Sequence, residues 1–277
     1  MRLDVLDVDV DLLSSLSHLE RLSLNRTGTP RAVNLSCLIN LKELEIEFYS
    51  SSPDLSSLSS LVNLERLTLI GDYWDDLTFD LSSLKNLKVL HLSECTLQDF
   101  SFLSHLTHLE TLILDGCEHL KVLPDLSNLK KLETIKFFGC QQLEDISGLP
   151  ALPHLKVLYL SGCDKLQYLF DLSQSINLKE LDLTDCQRLQ DVSFIPQLHE
   201  LQALSLEGCK NLIEVPDLSG LKFLKHIFLM ESPADPEIRY SGKKGTNPFS
   251  FFTAVSFVNR FDSFCSESVK KLSYFQK

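Results

Sequence analysis

Long apolar runs, an excess of positive charge, and heavy punctuation by glycine or proline are all missing from this sequence. No uninterrupted hydrophobic stretch approaches the ~20 residues needed to cross a bilayer. Met1-Arg2-Leu3-Asp4 alternates acid and apolar residues where the apolar core of a signal peptide would begin. The 38 Asp and Glu outnumber the 26 Lys and Arg, giving a net charge of −12, which disfavours nucleic acid and anionic membrane surfaces as partners. Ten glycines and ten prolines in 277 residues exclude collagen-like and linker-dominated chains. Catalytic signatures are absent as well: no G-x-S-x-G, H-E-x-x-H or phosphate loop occurs, and Ser241-Gly-Lys-Lys-Gly-Thr246 lacks the spacing for the last of these. With 44% hydrophobic residues the chain can still build a continuous core. The expectation is a soluble, cytoplasmic, non-enzymatic protein without cofactor or metal.

What is present is a repeat. The first leucine of each L-x-x-L-x-L segment falls at Leu19, Leu41, Leu64, Leu87, Leu109, Leu132, Leu155, Leu178, Leu201 and Leu224, at intervals of 22 or 23 residues. L-x-L alternation is the period-2 mark of a short strand with one buried face. Further leucines, such as Leu120, Leu123, Leu126 and Leu129, point inward from the return path. One unit cannot bury these side chains alone, so neighbouring units must stack. The pattern predicts an α/β, right-handed leucine-rich-repeat solenoid of about ten 22–23-residue repeats, its parallel sheet on the concave face. It covers residues 1–230, with 1–18 a partial first repeat. Val10, Leu13 and Leu16 fit the second half of a unit whose strand would begin before Met1, so upstream repeats or domains are expected.

Six of the eight cysteines, Cys95, Cys117, Cys140, Cys163, Cys186 and Cys209, stand eight residues after the first leucine of their unit. No C-x-x-C or Cys/His pair has zinc-like spacing. Equivalent positions in stacked coils form one column, which fits small buried thiols at the turn after each strand in a reducing compartment. Gly116, Gly139, Gly162 and Gly208 precede four of them, as a sharp exit from a strand requires. The sequons at Asn25 and Asn34 read as chance matches in a chain without a leader.

Leu-Ser-Gly-Cys163, Leu-Glu-Gly-Cys209, Leu-Pro-Asp-Leu126-Ser and Val-Pro-Asp-Leu218-Ser resemble the repeats of plant intracellular nucleotide-binding leucine-rich-repeat immune receptors, closest to their TIR-type branch. The resemblance is good over 87–230 and loose over 12–86. It implies a ligand-sensing region that recognises a pathogen effector or host protein and restrains a nucleotide-binding switch domain. That switch domain is missing here, because no phosphate loop is present. Two alternatives share parts of the pattern. Bacterial internalin-type repeats have the short coil and segments like Asp145-Ile-Ser-Gly-Leu149, implying an adhesin or host-directed effector. F-box-type repeats carry the cysteine, implying a substrate adaptor for ubiquitin ligation.

Partner contacts are expected on the concave face, at positions four and six after the first leucine. His91, Ile113, Asp115, Lys136, Phe138, Tyr159, Asp182 and Glu207 are the candidates. Ile113, Phe138 and Tyr159 on adjacent strands are read as one exposed apolar-aromatic patch. Asp115, Asp182 and Glu207 flank it with acid, which points to a protein with a basic rim. Glu43, Glu45 and Glu47 read as a solvated acidic stripe, and His105/His108 as a solvated pair. Asp4, Asp7, Asp9 and Asp11 alternate with valines as outward positions, and Asp72-Tyr-Trp-Asp-Asp76 reads as a bulge or contact loop. Residues 231–248 form a polar loop. Phe257, Phe261 and Phe264 then stand at helical spacing in a Phe-rich segment, 249–277, read as a cap on the last coil or a docking segment.

Overall fold

The computed structural model describes residues 2–6, 15–26, 34–48, 55–71, 80–149, 152–169, 172–229 and 232. All of them lie within one compact unit, Met1–Ser241. The Asp72–Asp76 loop and the Phe-rich segment lie outside the described residues, as does 231–248 apart from Ser232.

Eleven strands form one parallel sheet in strict chain order. They are β1 (Arg2–Leu6), β2 (Arg21–Arg26), β3 (Glu43–Phe48), β4 (Arg66–Gly71), β5 (Val89–Ser93), β6 (Thr111–Asp115), β7 (Thr134–Phe138), β8 (Val157–Tyr159), β9 (Glu180–Asp182), β10 (Ala203–Ser205) and β11 (His226–Phe228). The ten strands expected from the leucine spacing are β2 to β11. The partial first repeat differs from expectation: its strand is Arg2–Leu6, paired Leu3↔Leu22 and Val5↔Leu24, and does not precede Met1. The apolar pair Leu3/Val5 is set 19 residues before its partners, outside the 22–23-residue rhythm, so the spacing test passed over it.

The leucines behave as the period-2 pattern requires. From β5 to β7 the burial alternates, with Leu90, Leu92, Leu112, Leu114, Ile135 and Phe137 all fully buried. The return path supplies the facing wall, for example Leu120, Leu123, Leu126 and Leu129, in one continuous cluster running from Leu19 to Leu229. Each such side chain contributes about 1.5–3 kcal/mol on burial. The return segments hold 3-10 turns, at Ser56–Ser60, Ser101–His105, Leu172–Gln174 and Ile195–Gln197, and no α-helix among the described residues.

Three polar columns recur from coil to coil, two of them tying one coil to the next and one closing a turn within each coil. On the edge where the chain enters each strand, backbone N–H groups donate one coil back: Lys42 to Glu20, Glu65 to Lys42, and so on through Lys225 to Gln202. Beside them Asn40, Asn63, Asn86 and Asn177 donate side-chain amides to the carbonyls of Ser17, Ile39, Val62 and Pro153. On the return path, D-x-S segments form a repeated turn. Asp80, Asp99, Asp125, Asp145, Asp191 and Asp217 each accept the backbone N–H of the serine two residues on.

The third column is the cysteine ladder. All six thiols are fully buried, and none of the seven described cysteines is bridged. The thiols of Cys140, Cys186 and Cys209 donate to the carbonyls of Leu114, Leu160 and Leu183, each 26 residues earlier. Cys95 and Cys117 lie thiol to thiol, 2.8 Å apart. Burial pushes the thiols of Cys163 and Cys186 well above their ordinary value and that of Cys209 up to about 12, so these groups stay protonated and unreactive. Every ladder cysteine follows a residue of positive φ: Glu94, Gly116, Gly139, Gly162, Asp185 and Gly208. Four are the expected glycines, and Glu94 and Asp185 take the same conformation with a side chain.

Gly139 and Gly208 separate conformational strain from crowding. A Cβ on Gly139 meets nothing within 4 Å, whereas one on Gly208 runs into the Asp185 carboxylate. Gly139→Ala should therefore cost about 1–2 kcal/mol, the left-handed penalty alone, and Gly208→Ala should cost more. Urea unfolding of both variants measures this; equal stability of Gly139→Ala and the parent would disprove the conformational account.

Candidate protein-interaction surface

The sheet's outward face is organised in rows set by strand register. One row runs His91↔Ile113↔Lys136↔Tyr159↔Asp182↔Ser205↔Phe228, and the next runs Ser93↔Asp115↔Phe138. Glu207 follows β10 by two residues. Sequence spacing thus placed all eight candidates on or just after β5 to β10.

Their exposure differs from expectation. Ile113 and Phe138 fall in different rows, with Lys136 between Ile113 and Tyr159. Phe138 and Tyr159 do touch, with ring centroids 6.2 Å apart, and the Lys136 ammonium sits 5.0 Å from the Tyr159 ring centre. Under these two neighbours Tyr159 is only 2% exposed. Its hydroxyl donates to Glu180, and burial followed by that carboxylate raises its pKa. Tyr159 is therefore a buried support and not an exposed anchor. The contact group left at the surface is Ile113, Lys136 and Phe138, each half-buried.

Asp182 differs in the same way. It is 9% exposed and accepts three hydrogen bonds: from Ser161 Oγ at 2.6 Å, Thr184 N at 2.9 Å and Thr184 Oγ1 at 2.6 Å. Thr184 gives its only hydroxyl proton to Asp182, so Ser205 Oγ, 2.7 Å away, donates to Thr184. Such a saturated carboxylate orders the sheet face and has little capacity left for a partner. Thr184 and Ser205 belong to this network and Glu180 holds the Tyr159 hydroxyl; none of the three was among the candidates. Reading position two of each unit beside positions four and six would have found Glu180.

Upstream, the Glu43 carboxylate pairs with Arg21 at 3.3 Å and Glu45 accepts from Ser23 at 3.3 Å. The stripe is half-buried and partly paired, more than a merely solvated face. His105 and His108 are exposed, and no three His, Cys, Asp or Glu gather into a metal-binding group among the described residues. Phe228 is half-buried, while Met230 lies outside the described residues. So do the side chains of Asp4, Asp7, Asp9 and Asp11, and of Asn25. No helix of the described residues is long and apolar enough to cross a membrane.

No family model matches the sequence, and no curated protein matches it. Solved structures do. A leucine-rich-repeat protein of Leptospira interrogans aligns over 86% of this chain and 61% of its own, at 23% identity and a TM-score of 0.70. The chain therefore spans about three-fifths of that relative's length. A TDR receptor aligns over 83% of this chain and 45% of its own, at 19% identity and a TM-score of 0.58. The leucine-rich-repeat domain of the type III effector XopL aligns over 84% and 76%, at 21% identity and a TM-score of 0.50. Periodicity, register and these likenesses together define a leucine-rich-repeat solenoid.

The central row contains a sensitive titrating group. Burial, then the Lys136 charge, depresses His91 to about 4. Between that value and its unfolded value near 6.5 the unfolded chain binds the extra proton, so stability falls as pH drops through this window, by about 3 kcal/mol in all. Asp115, raised by burial, works in the opposite direction. Replacing the histidine isolates its own share: in His91→Gln, denaturant stability should change less between pH 6.5 and pH 4 than in the parent. An NMR titration placing His91 near 6.5 would refute this assignment.

Proposed function

We propose that this solenoid is a protein-recognition module whose concave sheet face carries the contact. The observation behind this is the half-buried group Ile113, Lys136 and Phe138, raised on the buried Tyr159 and bounded by acids: Glu43, Glu45 and Glu47 on one side, Glu180 and Glu207 on the other. An apolar centre already held by its neighbours loses little side-chain entropy on binding, and an acidic margin selects a partner with a basic rim. His91 lies inside that margin as a neutral, partly buried group, and Asp115 as a partly buried carboxyl whose pKa burial raises.

The finer reading is the ligand-sensing region of an immune receptor, supported by the resemblance of the Leu-x-Gly-Cys and Pro-Asp-Leu-Ser segments. Its ligand is a pathogen effector or a host protein, and its switch domain would be encoded upstream. The likeness to a Leptospira protein and to a type III effector domain favours a second reading, a bacterial adhesin or effector. An in-frame nucleotide-binding domain upstream in the native transcript supports the first; an in-frame export signal supports the second.

The concave assignment has its own test. A photo-crosslinking amino acid at position 138, and separately at 125 on the return path, is introduced into the chain in its native cells. Position 138 should capture a discrete protein that position 125 does not, and Phe138→Ala should weaken that protein's binding about tenfold or more. Equal capture from both positions would rule out the concave face.

A further inference from the structure

Over the last five coils, the edge where the chain enters each strand carries charge of the opposite sign to that of the chain as a whole. From the coil of Leu132 to that of Leu224, the two residues before the first leucine and the one after it include Lys130, Lys131, Lys156, Lys179, Lys222 and Lys225. Only two carboxylates, Glu133 and Glu200, share those positions. Stacking is direct, because Lys156 N donates to Glu133 O, Lys179 N to Lys156 O, Gln202 N to Lys179 O and Lys225 N to Gln202 O. These residues therefore lie along one line, roughly 4.8 Å per coil.

Along the same edge some opposite charges on neighbouring coils pair: Lys42 with Glu20 at 3.4 Å, Lys88 with Glu65 at 2.7 Å, and Lys156 with Glu133 at 2.8 Å. The alternation of sign runs from Glu20 to Glu110 and breaks at Glu133; from Lys156 on, the residue after the first leucine reads Lys156, Lys179, Gln202 and Lys225, without an acid. Among the described residues Lys130, Lys131, Lys179, Lys222 and Lys225 enter no ion pair, and all five are exposed. Two large exposed apolar side chains sit between them, Ile176 at 60% and Phe223 at 50%. Unpaired lysines interleaved with bare apolar residues, on a chain of net charge −12, form a local surface of distinct character.

We propose that this lysine edge is a second docking surface, separate from the concave face, and that it binds an extended acidic segment of a partner protein carrying apolar side chains between its carboxylates. Charge complementarity selects the acidic partner. Ile176 and Phe223 provide contacts that a phosphate backbone does not use. Arginine, whose fork suits bidentate phosphate binding, is absent from all these positions. The chain's overall negative charge further opposes a polyanion as dense as nucleic acid. Both surfaces can be occupied at once, because one lies on the sheet face and the other on its edge.

Four coil steps of ~4.8 Å span about 19 Å, and an extended chain advances ~3.3 Å per residue. A fluorescein-labelled peptide of about eight residues, glutamates interrupted by two phenylalanines, is the fitting probe, used with the full chain. It should bind with an affinity that falls as salt rises, and its NMR or cross-linking footprint should cover Lys179, Ile176 and Phe223. Lys131→Glu/Lys179→Glu/Lys225→Glu should weaken it about tenfold or more, while Phe138→Ala on the concave face should leave it unchanged. All three lysines are exposed, so circular dichroism and the melting temperature should confirm that the variant folds. Equal binding by parent and triple variant would overturn the proposal. So would tighter binding, through the same lysines, of a single-stranded RNA of similar length or of phosphatidylserine vesicles. Loss of the concave assignment alone would leave this result intact.

Discussion

No coil of this chain can bury its own leucines; each becomes a core residue only when the next coil closes over it. Every other feature follows from that dependence. Lateral stacking forces the strands into parallel register, and register then places equivalent residues of successive units in straight rows. The rows explain why one pattern of side chains recurs as a column of thiols, a column of asparagine amides and a column of aspartate turns. In each, the polar group satisfies a neighbour's backbone or its own turn. Among the described residues no buried side-chain nitrogen or oxygen lacks a hydrogen-bond partner, which is what a long core with so much internal backbone requires.

Rows also separate surfaces of different chemistry. Positions between the strand leucines face the concave side, where neighbours support one another: Tyr159 beneath Phe138 and Lys136, Asp182 beneath Ser161 and Thr184. Positions just before each strand face the edge, where lysines pair with glutamates in some coils and Lys179, Lys222 and Lys225 of the last coils stay exposed. Acidic and basic character thus occupy different sides of one sheet, and the net charge of −12 conceals the difference.

The repeat length, strand positions, cysteine column and four glycine turns were legible because each rests on a local rule repeated many times. The strand Arg2–Leu6 was not, since its unit is shorter and repetition is what carries the signal. The candidate surface was legible in outline only. Spacing tells which row a residue occupies but not how tall its neighbours are, so Tyr159 and Asp182 read as exposed although adjoining side chains cover them. Glu94 and Asp185 were missed for a related reason: their left-handed turns are imposed by the stacked coil and leave no mark in residue type. The lysine edge was readable in principle, and required the columns before each leucine to be read down the chain with those after it.

The polar columns have an evolutionary consequence. Where these columns run, the amides and thiols of one coil meet carbonyls of an earlier coil at repeated offsets: 22 or 23 residues for the strand-entry backbone, 23 or 24 for asparagine and 26 for Cys140, Cys186 and Cys209. A whole unit duplicated or lost by unequal crossing-over therefore rejoins donors to acceptors with none left over, whereas a gain or loss of part of a unit misaligns all of them. The length of the array is free to change in steps of one coil, and each step adds or removes one position on the sheet face and one on the strand-entry edge together.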